Sequence, residues 1–512
     1  MISRKQRTWL ILAGVLAIAL LWSLAAFARP GGGNSYSGSS RSSSGSSSSY
    51  RSSGSGSSGS SGGGGDASGL VLQLILLCVQ YPAVGVPLLV IVVGFFVAKN
   101  VIGSGRQGWS TTTAEDVRQV QQVEQTALVS RMDLDGIRGL DPGFSLVLFE
   151  DFAYMLYAAV QRARGLGTQP IAAYLDPTLA EQLVDQQLAD VQGIVIGAMR
   201  YTSFSGVQGP MLEIELEVEV NYVEVPKSGA QRRFYAVDRL VLTRATTARS
   251  RPFQRAHTLD CPNCGAPLES VRGTQCSYCQ QNVGFGRYDW MVKSLQSLNR
   301  EPRGPLLTSD APEVGTELPT VVDRGAPQRF AAIQQKDPEV GWEPLQGRVG
   351  LIFHELHAAW AGRDALRIRP YVSDNLFQSM YYWIDLYTQA KCRNVTENPS
   401  IMRVDLANVM SDAYYDAITL RVFATGLDYT ISDEGKLLSG SRSKPRIYSE
   451  YWTLIRGTAR KGAPRREPQC PHCGAPMKIG MTGQCEYCRV KVTSGEFDWV
   501  LSRIEQDEAY GG

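Results

Sequence analysis

The sequence has almost no charge imbalance: 51 basic residues against 49 acidic ones leave a net charge of +2 over 512 residues. Nucleic-acid binders present a strongly basic face, so binding to DNA or RNA is not expected. The chain also lacks a phosphate-binding glycine loop, a nucleophile elbow and a catalytic Cys/His pairing. The usual local signatures of nucleotide-dependent and hydrolytic enzymes are therefore missing. Cysteine is sparse, at ten residues, and its placement argues against a disulfide framework. Eight of the ten fall into C-x2-C knuckles, which is metal spacing. Cys78 and Cys392 stand alone, and Cys78 lies in an apolar run as a small buried hydrophobe.

The knuckles organise everything else. Cys261, Cys264, Cys276 and Cys279 recur as Cys470, Cys473, Cys485 and Cys488, at a constant offset of 209 residues and with gaps of two, eleven and two. Each set is followed by Asp-Trp, at Asp289-Trp290 and Asp498-Trp499, and 14 of 35 positions match between 261–295 and 470–504. The chain reads as an internal duplication. Four thiolates on two knuckles hold a tetrahedral ion, and zinc (Zn2+) is predicted in both as a structural ion. Iron in a rubredoxin-like site is the second candidate. Protein fills all four positions, so no site is left for water and no chemistry is expected at the metal. A module too short to build a core uses the ion to fold. His472 is replaced by Asn263 in the first knuckle pair, so it is not expected to be a ligand. Thiolate sites favour a reducing compartment.

Taken in order, residues 1–28 combine a basic start, an apolar run and Ala26-Phe27-Ala28, which reads as a signal peptide or a first transmembrane helix. Residues 29–68 are a Gly/Ser-rich disordered linker, expected to span on the order of 35 Å. Residues 69–98 carry no charge and are long enough for a transmembrane helix kinked at Pro82 and Pro87. The positive-inside rule then leaves everything after about residue 100 facing the cytoplasm. Residues 110–140, entered through the capping box Thr112-Thr113-Ala114-Glu115, are an amphipathic connecting helix.

Residues 141–248 form a first domain. Leu146, Phe149, Phe152, Ala153, Leu156 and Val160 mark one helix face, and a second helix over 177–190 enters through Asp176-Pro177. From Met211 to Tyr222 apolar residues alternate with Glu213, Glu215, Glu217 and Glu219, which predicts a strand with those glutamates on a solvated face. A turn at Pro226–Gly229 leads to a strand at 233–244. Helices followed by antiparallel strands give an α+β class. The first zinc ribbon covers 257–295, a Pro- and Gly-rich linker 296–335, a second domain 336–460 and the second zinc ribbon 466–505. In the second domain Val349, Ile352, Phe353, Leu356 and Trp360 give the helical stripe, with strands at about 400–411, 414–429 and 445–457. His354-Glu355-Leu356-His357 has the wrong spacing for a zinc-protease helix. Asn394-Val395-Thr396 is a formal glycosylation sequon on the wrong side of the membrane.

One family resemblance emerges. The helix ending Ala358-Ala359-Trp360, the element Arg369 to Leu376 and the strand Glu450 to Arg456 resemble the Tim-forty-four-like domain. That family is named for the membrane-anchoring subunit of the mitochondrial import motor. The first domain is more diverged: Asp238 to Arg244 keeps the acid and the arginine but not the tryptophan. The resemblance implies a nuclear-transport-factor-two-like cone in each half, with helices on a curved antiparallel sheet and a concave pocket. It also implies binding of lipid or a protein partner at a membrane, without a reaction. The expected function is a non-catalytic membrane-anchored scaffold. The alternatives are an enzyme of the isomerase or dehydratase type using the pocket, and a zinc-ribbon nucleic-acid binder. The halves are expected to be independent, so that losing Cys276 spares the second domain. Partner identity and oligomeric state are not written in the sequence.

Overall fold

Each half of the chain pairs a helical stripe with period-two strands, and each builds one antiparallel sheet. The computed structural model describes residues 136–251, 255–256, 258–302, 313, 315–465, 469–507 and 509–511. The apolar segments at 1–28 and 69–98, the Gly/Ser-rich stretch and residues 110–135 of the connecting helix lie outside the described residues. Among the described residues no helix is long and apolar enough to cross a membrane.

In the first half, helix α1 (Leu146–Leu166) starts at Ser145, whose hydroxyl accepts from Leu148 N at 3.4 Å. The predicted stripe of Phe149, Phe152, Ala153, Leu156 and Val160 is buried along it. Each large apolar side chain buried in this way contributes about 1.5–3 kcal/mol. A 3-10 turn (Gln169–Tyr174) leads to α2 (Pro177–Leu183), capped by Asp176 accepting from Thr178 N at 2.9 Å. The helix expected over 177–190 stops early, because Leu188 already pairs with Pro226 across a sheet. That pairing opens β1 (Leu188–Ser205), followed by β2 (Met211–Pro226) and β3 (Arg232–Ala245).

The cysteine segment then holds a two-residue pair, β4 (Val271–Arg272) and β5 (Gln275–Cys276), and the chain emerges as β6 (Met291–Glu301). Strand β6 pairs antiparallel with β3, giving a sheet of order β1-β2-β3-β6. The boundary drawn at 295 therefore falls inside a strand. The four-cysteine segment lies between the third and fourth strands of the sheet and does not simply follow the domain.

The second half repeats this order. Helices α3 (Ala326–Lys336), α4 (Trp342–Gly362), α5 (Ala365–Ile368) and α6 (Asp374–Gln389) precede β7 (Cys392–Ser411), β8 (Tyr415–Ser432), β9 (Leu437–Gly440) and β10 (Arg446–Gly457). After the second cysteine set comes β11 (Val500–Gln506). The sheet runs β11-β10-β8-β7, with β9 also on β8. Again the strand after the cysteines closes the sheet, and the boundary at 505 cuts it.

The glutamate row does not make a freely solvated face. Arg200 on β1 reaches Glu217 at 3.1 Å and also pairs with Glu219. Arg239 on β3 meets Glu215 at 3.3 Å, and Lys293 on β6 meets Glu213 at 2.5 Å. Opposite charges on neighbouring strands answer each glutamate, and Glu219 is buried.

The stretch expected as a linker holds structure. Arg421 donates to Leu318 O at 2.7 Å and Gly315 O at 2.8 Å, Val321 N donates to Tyr451 Oη at 2.9 Å, and Asp323 N donates to Ala407 O at 2.8 Å. The strap 315–323 thus crosses the outer face of the second sheet. Asp507 pairs with Arg421 at 3.0 Å, and Tyr510 stacks on Tyr451 at 3.8 Å beside it.

The halves also touch. Val147 and Leu148 of α1 pack with Tyr415, Ala417, Ile455 and Val500 of the second half. Arg503 pairs with Glu150 at 3.2 Å, and Asn375 Nδ2 donates to Asp151 Oδ1 at 2.6 Å. The two halves therefore share an interface with an apolar part and a polar part.

Candidate metal centres

Each knuckle is a tight turn closed by its own backbone. Cys261 N donates to Ala266 O at 2.7 Å and Gly265 N to Cys261 O at 2.9 Å, and the same bonds at 470–475 have the same lengths. Gly265 and Gly474 take φ of +79° and +72°, a region that costs glycine little. The second knuckles close through Gln280 N to Cys276 O at 2.8 Å and Arg489 N to Cys485 O at 2.9 Å. There Gln280 and Arg489, not glycine, hold positive φ.

These turns bring together all eight predicted ligands as two sets of four. Within each set the sulfurs all lie within 4.8 Å of one another. Cys261 Sγ is 3.9 Å from Cys279 Sγ, and Cys264 Sγ is 3.8 Å from Cys276 Sγ. The second set gives 3.8 Å for Cys470–Cys488 and 4.0 Å for Cys473–Cys485. A tetrahedron with zinc–sulfur bonds of about 2.3 Å has edges of about 3.8 Å. All of these cysteines are free thiols. The geometry thus fits a four-thiolate ion in both clusters, although nothing in it separates zinc from iron. Burial pushes the Cys261 thiol up to about 12, whereas a hydrogen bond from Asn263 and one from the Gln281 backbone draw Cys279 down to about 6. His472 lies edge-on to Phe497 at 6.2 Å, away from a ligand position. Among the described residues, no further group of three or more His, Cys, Asp or Glu could hold a metal.

A buried triad marks the place where the chain re-enters each sheet after the cysteines. Arg244, at the end of β3, stacks over Trp290 at 4.8 Å and pairs with Asp141 at 3.0 Å. Arg456, at the end of β10, stacks over Trp499 at 4.7 Å and pairs with Asp337 at 3.0 Å. The same two aspartates receive the backbone N–H of Ser250 and of Gly462. Each thus gathers the entry to its half, the third strand and the approach to the cysteines. The Asp-Trp repeat and the arginine are visible in the sequence. The aspartate partners are not, because no local spacing ties Asp141 to Arg244.

The exits from the clusters also match. Leu175 bridges Val292 in parallel, and Val372 bridges Leu501. Asp176 N donates to Val292 O and Ser373 N to Leu501 O, both at 2.9 Å.

The interior of each half bears on the enzyme alternative. An acid occupies matching positions, Asp238 on β3 and Glu450 on β10, the two residues that the sequence already aligns at the start of the shared strand. Asp238 accepts from Tyr157 at 2.5 Å and Gln161 at 2.9 Å, and burial raises its pKa. Glu450 accepts from Trp452 Nε1 at 3.0 Å and Gln506 at 3.2 Å. Both acids are buried against named donors and act as internal hydrogen-bond acceptors. A cleft beside the first triad, lined by Phe144, Phe149, Phe152, Arg251 and Trp290 among others, has about 40 Å³ of free volume, enough for water-sized guests. His357 is buried with Nε2 2.8 Å from Tyr448 Oη, and Glu355 pairs with Arg367 at 2.8 Å, so the His-Glu-Leu-His run is structural. Asn394 is fully buried between Trp360 and Asp428, which closes it to a glycosyltransferase.

Comparison with the curated proteins gives no match to the chain. Comparison with protein families gives one over α3 to β10, stopping short of the second cysteine set and of β11. Residues 327–465 match the Tim44-like domain, so the second half of this chain carries such a domain.

Proposed function

We propose that the protein is a membrane-associated, non-catalytic scaffold that binds a protein or lipid partner at the cytoplasmic face of a bacterial inner membrane. The observation that carries this reading is the Tim44-like domain at 327–465, because such a domain suggests membrane association and protein or lipid binding. The uncharged run at 69–98 supplies an anchor of bilayer length. In this reading the chain is a duplication of one unit, a nuclear-transport-factor-two-like cone. Matched strand order, matched Asp–Arg–Trp triads and matched strand exits support it. Each unit holds one structural zinc ion on Cys261, Cys264, Cys276 and Cys279, or on Cys470, Cys473, Cys485 and Cys488. The thiolates bind the ion and leave no position for a substrate.

The test has two arms. A reporter fused after residue 512 should act in the cytoplasm, and crosslinking in native membranes should recover a protein or lipid partner. Reporter activity on the opposite side of the membrane would refute the orientation. Turnover of a small molecule by the purified chain would refute the non-catalytic role.

A further inference from the structure

The two cysteine clusters are alike in geometry but are anchored differently. In the first, Cys261, Val271, Cys276 and Val283 are part of the main apolar core of their half, continuous with Phe152, Leu156 and Trp290. In the second, Cys470, Ile479, Cys485 and Val492 form a small cluster of their own, with Met477 and Cys488 against it, apart from the main core of that half. Polar contacts hold this second module to the domain. Arg369 Nε donates to Met481 O at 3.0 Å, and Arg369 pairs with Asp374 at 2.5 Å. Lys491 pairs with the other oxygen of Asp374, and Thr493 Oγ1 lies 3.3 Å from Asp374 Oδ1. Gly483, at φ +79°, lies flat against Arg369: a Cβ there would meet Arg369 Nη2 at 2.6 Å.

Those contacts end at the seam between the halves. Asp374 opens α6, and the next residue, Asn375, donates to Asp151 of α1. On the other side of the module, Tyr415 Oη donates to Ser494 O at 2.9 Å. Tyr415 itself packs with Val147 and Leu148 of the first half. One module thus grips both the polar and the apolar parts of the seam, and it has little core of its own to hold it in place when its ion is absent.

We propose that the two metal sites have different roles: the first fixes the core of its half, and the second is a releasable clamp whose ion keeps the halves docked. The inference rests on the metal reading above. Without the second ion, residues 470–491 lose the cross-link that shapes them, because a module of this size has no other way to fold. Lys491 and the Met481 carbonyl then leave Asp374 and Arg369. Asn375 and Tyr415 lose their fixed positions, and α1 separates from β8 and β11. Without the first ion the loss enters the core of the first half directly.

The experiment measures amide hydrogen exchange on the full chain together with its zinc content. Wild type should carry two equivalents. Cys473→Ser and Cys264→Ser alter the exposed ligand of each cluster. Cys473→Ser should retain one equivalent and raise exchange at least tenfold at Val147–Asp151, while β2 stays protected. Cys264→Ser should raise exchange through β2, β3 and β6. Lys491→Met breaks the clamp without touching a cysteine; it should keep two equivalents and still raise exchange at Val147–Asp151. If Cys473→Ser lowers zinc to one equivalent with exchange at Val147–Asp151 unchanged, the clamp is refuted and the metal reading stands. If the two cysteine variants loosen the same segments equally, the division of roles is refuted. A wild-type chain without bound metal refutes the metal reading and the clamp together.

Discussion

Asp141 and Asp337 are each the ion-pair partner of a buried arginine, Arg244 and Arg456. Taking one carboxylate away leaves a guanidinium unpaired, which costs about 3–5 kcal/mol. Asp337→Asn should therefore lower the urea midpoint of the second half strongly, and Asp141→Asn that of the first. An unchanged midpoint in either would show that the Arg–Trp stacking holds the cluster unaided. Asp151 behaves differently. Burial, with Asp374 and Glu150 nearby, raises its pKa from 3.8 to about 7. The folded state then holds this proton more tightly than the unfolded state does. Its contribution is fully present below about pH 4 and is lost as pH rises through about 7. Melting temperature should fall across that window, and Asp151→Asn should flatten the fall. None of the three residues was legible beforehand, since each acts through a partner more than a hundred residues away.

At the scale of elements, the sequence was clearest where a single face repeats. The stripe of α1 and the alternation of β2 lie where periodicity put them. Strand β1 escaped because Gly193 and Gly197 interrupt its pattern and the preceding helix seemed to run through Leu188. Strands β6 and β11 escaped for another reason: Asp289-Trp290 and Asp498-Trp499 repeat together with the cysteines, so the residues after them read as the tail of a ribbon. The grouping of the eight cysteines into two sets of four was legible, because metal-type knuckles have a fixed local spacing. Placing β11 back in the sheet leads to a specific expectation. A fragment ending at 465, where the family match stops, leaves the edge of β10 bare and should aggregate. A fragment extended to 511 should stay soluble. Size-exclusion chromatography of the two decides the point, and equal solubility would mean β11 is dispensable.

For the whole molecule, Pro- and Gly-rich composition suggested that 296–335 is a linker between the two halves. The strap at 315–323 and the seam at Val147 and Leu148 describe a more fixed arrangement. Composition could not reveal this, because a strap whose backbone groups are met mostly by Arg421 and Tyr451 of the sheet needs no apolar pattern of its own. Leu148→Asp places a charge in the seam while leaving the inner face of α1 untouched. It should enlarge the radius of gyration in small-angle scattering with little change in helix content. No change in radius would mean that the polar contacts of Glu150 and Asp151 hold the halves together by themselves.

The late return of the fourth strand has a consequence during synthesis. Forty-five residues separate Ala245 from Met291. At translation rates of about 5–20 residues per second, β3 waits about 2–9 s for its neighbour. Throughout that interval the sheet shows the ribosome exit an unpaired edge. The cysteines emerge within the same interval, so on the metal reading proposed above the filling of the first site and the covering of that edge fall in one window. The supply of metal to the nascent chain should therefore set how much of it escapes aggregation before the sheet is complete.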